Sequence, residues 1–242
     1  MQKAKKTAPL LAAEIIQQRI RTGVYPAAAA LPGQRELAEE LGMGRPAIRE
    51  AISALEGLGL LRVEPGRGVF VAAPGAPAAG RWRFETRYRL ADVYAVRAAL
   101  ESVSVLLAAG HAGASGLGEL DQLVGRLADA VARDDLIEMS LADRDFHRKL
   151  AELSGNVFLQ DMLDSFDPVL TESRNVAFAD TNRKNREAPV IEHREIVDFI
   201  RAGNAEAASR SMKKHIAHAQ TRSEPVHGKI GKPDKNLQRK DG

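Results

Sequence analysis

Two sets of side chains in this sequence have types and spacings that could do chemistry. The first set is cationic. Arg45 and Arg49 are four residues apart, so on a helix they project from one face. A guanidinium can bond guanine O6 and N7 in bidentate fashion, worth about 1–3 kcal/mol of base discrimination. Arg35 lies a short way upstream, placed for a phosphate or an edge base. Arg67 stands between Gly66 and Gly68, at a tip slim enough to approach a duplex backbone. Any one of these arginines is equally compatible with a solvated surface. As a group they point to duplex DNA.

The second set is imidazole and carboxylate. Asp143 and His147 are four apart on one predicted helix, while His193 and His215 fall on two later ones. Three helices could each aim a ligand at one interior spot. Such donors suit zinc, nickel, manganese or iron. The sequence has no cysteine, which excludes a thiolate site and disulfides and fits a reducing cytoplasm. The spacing is equally compatible with separate surface or core histidines. His218 follows His215 by three and reads as a surface residue.

The elements that must position these groups follow from the hydrophobic pattern. Leu10, Leu11, Ile15, Ile16 and Ile20 repeat with helical spacing, and Gly23 closes that helix. Pro26 to Pro32 reads as a linker. Gln34 to Leu41 is a short helix, and Gly42 can take the left-handed conformation of a tight turn. Pro46 opens a second helix, whose inner face carries Ile48, Ala51, Ile52 and Leu55 and leaves Arg45 and Arg49 outward. Leu60 to Glu64 and Gly68 to Val71 form a hairpin with its tip at Pro65-Gly66-Arg67. Helix, glycine turn, arginine-bearing helix and basic hairpin make a winged helix-turn-helix, with a recognition helix for the major groove.

Beyond a stretch of Ala, Pro and Gly the pattern is helical nearly throughout. Helices are predicted around Val93–Leu107 and over Leu117–Val131, Leu136–Leu153, Val157–Arg174, Pro189–Ala202 and Ala205–Arg222, with Asn204 as an N-cap. The fold class is therefore mainly α: an N-terminal winged helix-turn-helix domain plus a C-terminal all-α helical bundle of about six helices. The expected divisions are a DNA-binding domain over residues 1–73, a linker over 74–89, the bundle over 90–222 and a polar, Lys-rich and disordered tail over 223–242.

Charge follows the same division. Of 35 basic and 32 acidic residues, the first 71 positions hold 10 and 7. A basic module on a mildly acidic body fits a polyanion partner at one end. No apolar run approaches the roughly 18 residues that span a bilayer, so no membrane partner is expected.

The residues Leu31-Pro32, Arg35-Glu-Leu-Ala38, Arg45, Arg49-Glu-Ala51, Leu55, Gly59-Leu60 and Gly66-Arg-Gly68 resemble the winged helix-turn-helix of GntR-type bacterial transcription regulators. The resemblance implies that Arg35, Arg45, Arg49, Gly66 and Arg67 touch operator DNA. Two positions depart from the family pattern. Ala28 replaces a usual glycine, which stiffens a loop. Gly44 replaces a usual Ser or Thr cap, at a cost of a few tenths of a kcal/mol.

Further on, Val96-Arg97-Ala-Ala-Leu-Glu101, Asp143-x3-His147, Ser154-Gly-Asn156, Glu192-His193-Arg194, Ala202-Gly-Asn204 and His215 resemble the ligand-sensing FCD domain of the FadR branch. The short stretch between Val71 and Val93 resembles its six-helix variant. The resemblance implies that Asp143, His147, His193 and His215 hold a divalent transition metal, zinc first. It also implies an effector that is a small carboxylate. Arg97 is a candidate anchor for that carboxylate, because guanidinium pairs bidentately with it. A helix-surface ion pair with Glu101 explains Arg97 equally well. Arg174 and Asn175 are further effector-binding candidates.

The expected function is a cytoplasmic, homodimeric repressor that binds double-stranded operator DNA and responds to ligand. Two rivals remain at this stage. One is a metal-dependent hydrolase using the Asp/His cluster, with Asp145 or Glu192 as base. The other is a regulator whose metal is purely structural.

Overall fold

A computed structural model describes residues 6–73, 82, 84–179 and 183–227. Three helices come first: α1 (Ala8–Arg21), α2 (Gln34–Leu41) and α3 (Arg45–Gly57). Gly42 closes α2 at φ 63° and lets the chain turn into α3. Gly44 occupies the N-cap of α3 without a side-chain hydrogen bond. Ile48, Ala51, Ile52 and Leu55 are buried beneath α3. The hairpin pairs β1 (Leu61–Glu64) with β2 (Gly68–Val71), Leu61 opposite Val71 and Glu64 opposite Gly68.

The stretch from Pro26 to Pro32 is not a free linker. It lies along the outer edge of β2, with Leu31 N donating to Val69 O (2.8 Å) and Val71 N to Ala29 O (2.9 Å). An edge strand exposes unpaired N–H and C=O groups, and this segment satisfies them. The tight turn that feeds it puts Ala28 at φ 63°. The position a glycine would favour is therefore strained with alanine, and the consequence goes beyond a stiffer loop.

Seven helices follow among the described residues, one more than the periodicity suggested. They are α4 (Leu90–His111), α5 (Ala114–Ala132), α6 (Leu136–Leu153), α7 (Val157–Ser165), α8 (Asp167–Phe178), α9 (Arg183–Arg201) and α10 (Ala205–His227). The single helix expected over Val157–Arg174 breaks at Phe166 (φ −106°, ψ 8°), and Pro168 falls in the first turn of the helix that restarts. Proline disfavours the helical conformation in the residue before it and lacks the N–H that would continue the ladder. Pro189, expected to open a helix, instead lies inside α9.

α4 is the central strut, in contact with α6, α7, α8, α9 and α10. By length and composition it is apolar enough to cross a membrane, with mean hydropathy 1.4 over its most apolar window. The sequence expectation that no run comes close is thus corrected. In the fold this helix is a bundle core element that carries the buried charges Arg97 and Glu101. Asn204 caps α10 as expected, accepting from Ala207 N at 3.1 Å, and α10 continues past Arg222 to His227. Most of the expected linker (74–81 and 83) and residues 228–242 of the expected tail lie outside the described residues. Within 84–89, Tyr88 O accepts from Trp82 Nε1 at 2.7 Å.

Candidate metal centre and DNA-reading face

Asp143 and His147 sit two turns inside α6, where the four-residue spacing turns both toward the bundle axis. α9 brings His193 to the same place and α10 brings His215. All four are buried, and one ligand atom from each lies within 4.8 Å of all the others. His193 Nε2 is 3.4 Å from His215 Nε2 and 3.5 Å from Asp143 Oδ1. His147 Nε2 is 3.8 Å from Asp143 Oδ2.

These separations are long for hydrogen bonds, which have their mode near 2.9 Å. His147 Nε2 is buried without a hydrogen-bond partner. Two atoms each about 2.1 Å from a common ion, at tetrahedral or octahedral angles, stand about 3.0–3.4 Å apart. The donor set therefore fits a divalent transition metal in chemistry, and separations of 3.4, 3.5 and 3.8 Å need only small side-chain shifts to close on an ion.

The outer contacts favour the same assignment. His147 Nδ1 meets Glu101 Oε2 at 2.5 Å. His215 Nδ1 meets Glu192 Oε2 at 2.7 Å. Carboxylates on the far nitrogens fix each ring so that Nε2 faces inward with a lone pair. Phe146 stacks on His193 with centroids 4.0 Å apart and planes at 13°, which holds that ring where its Nδ1 is buried without a hydrogen-bond partner. Burial lowers the pKa of His147, against the pull of Glu101. Burial, with His215, His147 and Arg222 adding to it, takes His193 well below its usual value. Both imidazoles are thus kept neutral, as metal ligands must be.

Arg97 is not on a helix surface. It is 1 % exposed, and donates to Glu101 (2.8 Å) and Ser173 Oγ (3.2 Å). Arg174 donates to the same Glu101 oxygen at 3.2 Å, while its Nε and Nη1 are buried without hydrogen-bond partners. Burial alone would raise the Glu101 pKa. Arg97, His147 and Arg174 outweigh that effect and hold it well below the carboxylate range.

Arg97, Asp143, Arg174, His215 and Arg222 border a cavity of about 10 Å³, no more than one water. Asn175 does not line this cavity: its Oδ1 accepts from Ser140 Oγ at 2.5 Å and ties α8 to α6. Larger concavities, about 420 and 570 Å³, lie away from the cluster and lack its convergent donors.

Sequence reasoning missed Arg222 as a partner, and read Glu192 only as a possible base and Glu101 only as a mate for Arg97. Glu192 takes both terminal nitrogens of Arg222 at 3.0 Å, besides His215 and His218. The one available signal was its place beside His193, and nothing in the sequence says which way it points.

At the other end, Arg45 and Arg49 are exposed on α3. Arg35 is exposed at the start of α2, 3.6 Å from Glu39. On the wing, Gly66 turns at φ 74°. Arg67 lies 2.5 Å from Glu64 and 5.8 Å from the Phe70 ring, which Arg62 also approaches at 5.6 Å. The five sequence-predicted groups are therefore free of core packing, and Arg62 is a cation on the same hairpin that the sequence reading passed over.

The profile of the FCD domain matches residues 92–218, just over half of the chain. That of the bacterial regulatory proteins of the gntR family matches residues 11–71. The chain belongs to the GntR family, with an FCD domain. It is a transcription regulator, and its relatives are not enzymes. The HTH-type transcriptional repressor NanR of Klebsiella aerogenes is 27% identical over 226 residues, covering 88% of this chain and 84% of the relative. NanR of Escherichia coli is 29% identical over 232 residues, covering 88% and 83%.

Among solved structures, a GntR regulator from Rhodococcus sp. RHA1 superposes with TM-score 0.53 at 24% identity, covering 93% of this regulator and all (100%) of that chain. McbR/YncC of E. coli gives 0.52 at 19%, covering 90% and 97%. At these identities the two structures speak to the fold alone.

Proposed function

We propose that this regulator is a cytoplasmic homodimeric repressor whose operator affinity is set by a metal-assisted carboxylate site in the bundle. The observation that carries the reading is the convergence of Asp143, His147, His193 and His215 in a buried site whose neighbouring Arg174 keeps two N–H groups without hydrogen-bond partners, its Nε standing 3.7 Å from Asp143 Oδ2. Three imidazoles and one carboxylate leave positions open on a divalent ion that takes five or six ligands: zinc first, expanded beyond four, with nickel, manganese or iron as alternatives. A bound ion would supply a Lewis-acid anchor for a small carboxylate, and the cavity of about 10 Å³ beside it would widen to admit one. Arg174 offers a second anchor, and Arg97 keeps Glu101 aligned on His147. Arg35, Arg45 and Arg49 supply groove and phosphate contacts, and the wing at Gly66 and Arg67 reaches the backbone.

The boundaries that go with this reading are residues 1–73 for DNA binding, 74–89 for the linker and 90–222 for sensing. Homodimerisation is supported by exposed apolar side chains: Val96 and Val103, two turns apart on α4, and Phe158 on α7 are 53%, 43% and 74% exposed. A second copy would bury them and set two α3 helices about one DNA turn apart. Neither base offered for the hydrolase alternative is free: Asp145 pairs with Arg126 and Arg144, and Glu192 is taken by His215, His218 and Arg222.

The test is a thermal-shift screen of small carboxylic acids with zinc and with a chelator, paired with binding to duplexes selected from a random pool. A carboxylate that stabilises only the zinc form and weakens duplex binding supports the reading. Zinc stabilisation with no carboxylate response would leave a structural metal. Turnover of esters without duplex binding would restore the hydrolase.

A further inference from the structure

The DNA-reading module rests directly on α6, which carries two of the four cluster residues, and on α8, which carries Arg174. Gln17 of α1 is 6% exposed and spends both ends of its amide on α6. Its Nε2 donates to Asp135 Oδ1 at 2.7 Å, and its Oε1 accepts from Ile137 N at 3.1 Å. Asp135 is the N-cap of α6, and the same oxygen accepts from Glu138 N at 3.1 Å. A helix start leaves its first N–H groups without intrahelical partners. In α6 one of these is satisfied by a side chain from the other domain. Gln17 is thus part of the cap of the helix whose next turns bear Asp143 and His147.

A second strut is built from close backbone approach. A Cβ on Gly57, the last residue of α3, would stand 3.0 Å from the Glu172 carboxylate of α8. A Cβ on Gly59 would stand 3.2 Å from that of Ala179. Glu172 and Arg174 are two residues apart in α8, on different sides of one turn. One turn of that helix therefore touches the end of the recognition helix and the metal pocket together.

We propose that Gln17 is the positioning residue that couples metal loading in the bundle to the winged domain, by locking α1 to the N-terminus of α6. Drawing Asp143 and His147 onto an ion fixes α6, and the doubly bonded amide passes that constraint to α1 and the α3 that packs on it. The Gly57–Glu172 contact keeps the module seated while Gln17 determines whether it senses α6. The inference rests on the metal reading above.

The experiment is amide hydrogen exchange on the full chain, with and without zinc, for wild type, Gln17→Ala and the near-isosteric Gln17→Met. In wild type, zinc slows exchange in α6 and α9 and, by about tenfold, in α1 and α3, within the range of an allosteric coupling. In both variants zinc affinity and α6 protection persist, and the effect on α1 and α3 disappears. Protection confined to the bundle in wild type, or surviving in α1 and α3 of Gln17→Met, overturns the coupling alone. No protection anywhere overturns the metal reading as well. A Gln17 that served only as glue would give slower α1 exchange in wild type than in the variants by the same factor with and without zinc, and that too overturns the proposal.

Discussion

Glu192 Oε2 lies 2.7 Å from Nδ1 of His215, so the carboxylate that Arg222 pins in place decides which nitrogen of that imidazole turns inward. Loss of such an outer carboxylate typically weakens metal affinity about 10–100-fold. Glu192→Ala is expected to fall in that range in a competition titration against a zinc-chelating dye. His218→Ala, which removes an exposed partner of the same carboxylate, leaves affinity unchanged. Equal zinc affinity in Glu192→Ala and wild type would contradict the assignment of His215 as a ligand.

Arg174 presents Nε and Nη1 to the pocket without hydrogen-bond partners, and burial lowers its pKa. A charge-assisted hydrogen bond is worth about 1.5–3 kcal/mol. Arg174→Lys keeps a cation but loses the planar fork. It is expected to retain zinc while binding the strongest carboxylate hit at least about tenfold more weakly, read by calorimetry. Undiminished carboxylate binding would move the effector away from α8.

On DNA the two cationic elements are expected to differ in kind. Arg49→Ala costs about 1–3 kcal/mol on the selected duplex and relaxes specificity at one base. Arg67→Ala lowers affinity on all sequences and reduces the salt slope by about 0.9. The check is fluorescence anisotropy over a salt series. An unaltered slope in Arg67→Ala would mean that this guanidinium stays on Glu64 in the complex.

Ala28 holds φ 63° in the turn that feeds the edge of the wing. A side chain in the left-handed region costs about 1 kcal/mol, which glycine avoids. Ala28→Gly should therefore raise the denaturant midpoint even though it loosens the unfolded chain. A lower midpoint would show that the turn is unstrained.

His147 and His193 both titrate below the ordinary histidine value of about 6.5. Above that pH the folded and unfolded chains are both neutral there, and the full stability is present. As pH falls below it, the unfolded chain takes up protons that the buried rings refuse, so stability declines. Protons also compete with the ion, and the zinc form gives up its added stability over the same interval. Denaturation of apo and zinc-loaded protein from about pH 8 to about pH 5, where histidine titrates, should show both declines. A flat apo profile would argue against burial of the two rings.

The local features were written in the sequence because each depends on near neighbours. Gly42 and Pro46 punctuate α2 and α3, the three-and-four spacing of Ile48, Ile52 and Leu55 fixes which face is outward, and Asp143 with His147 needs only one helix to align. Where the expectations failed, a second element had to compete. Pro26–Pro32 looked free until the open edge of β2 claimed its hydrogen bonds; the break at Pro168, by contrast, was a local signal that the periodicity reading overrode. Arg97 looked like a surface cation because a four-residue pair with Glu101 reads the same whether wet or dry. Only packing against α8 and α10 removed its water. The partnerships of Glu101 with His147, Glu192 with His215 and Gln17 with the cap of α6 join residues 46, 23 and 118 positions apart. No periodicity spans such distances, so tertiary packing alone chose them.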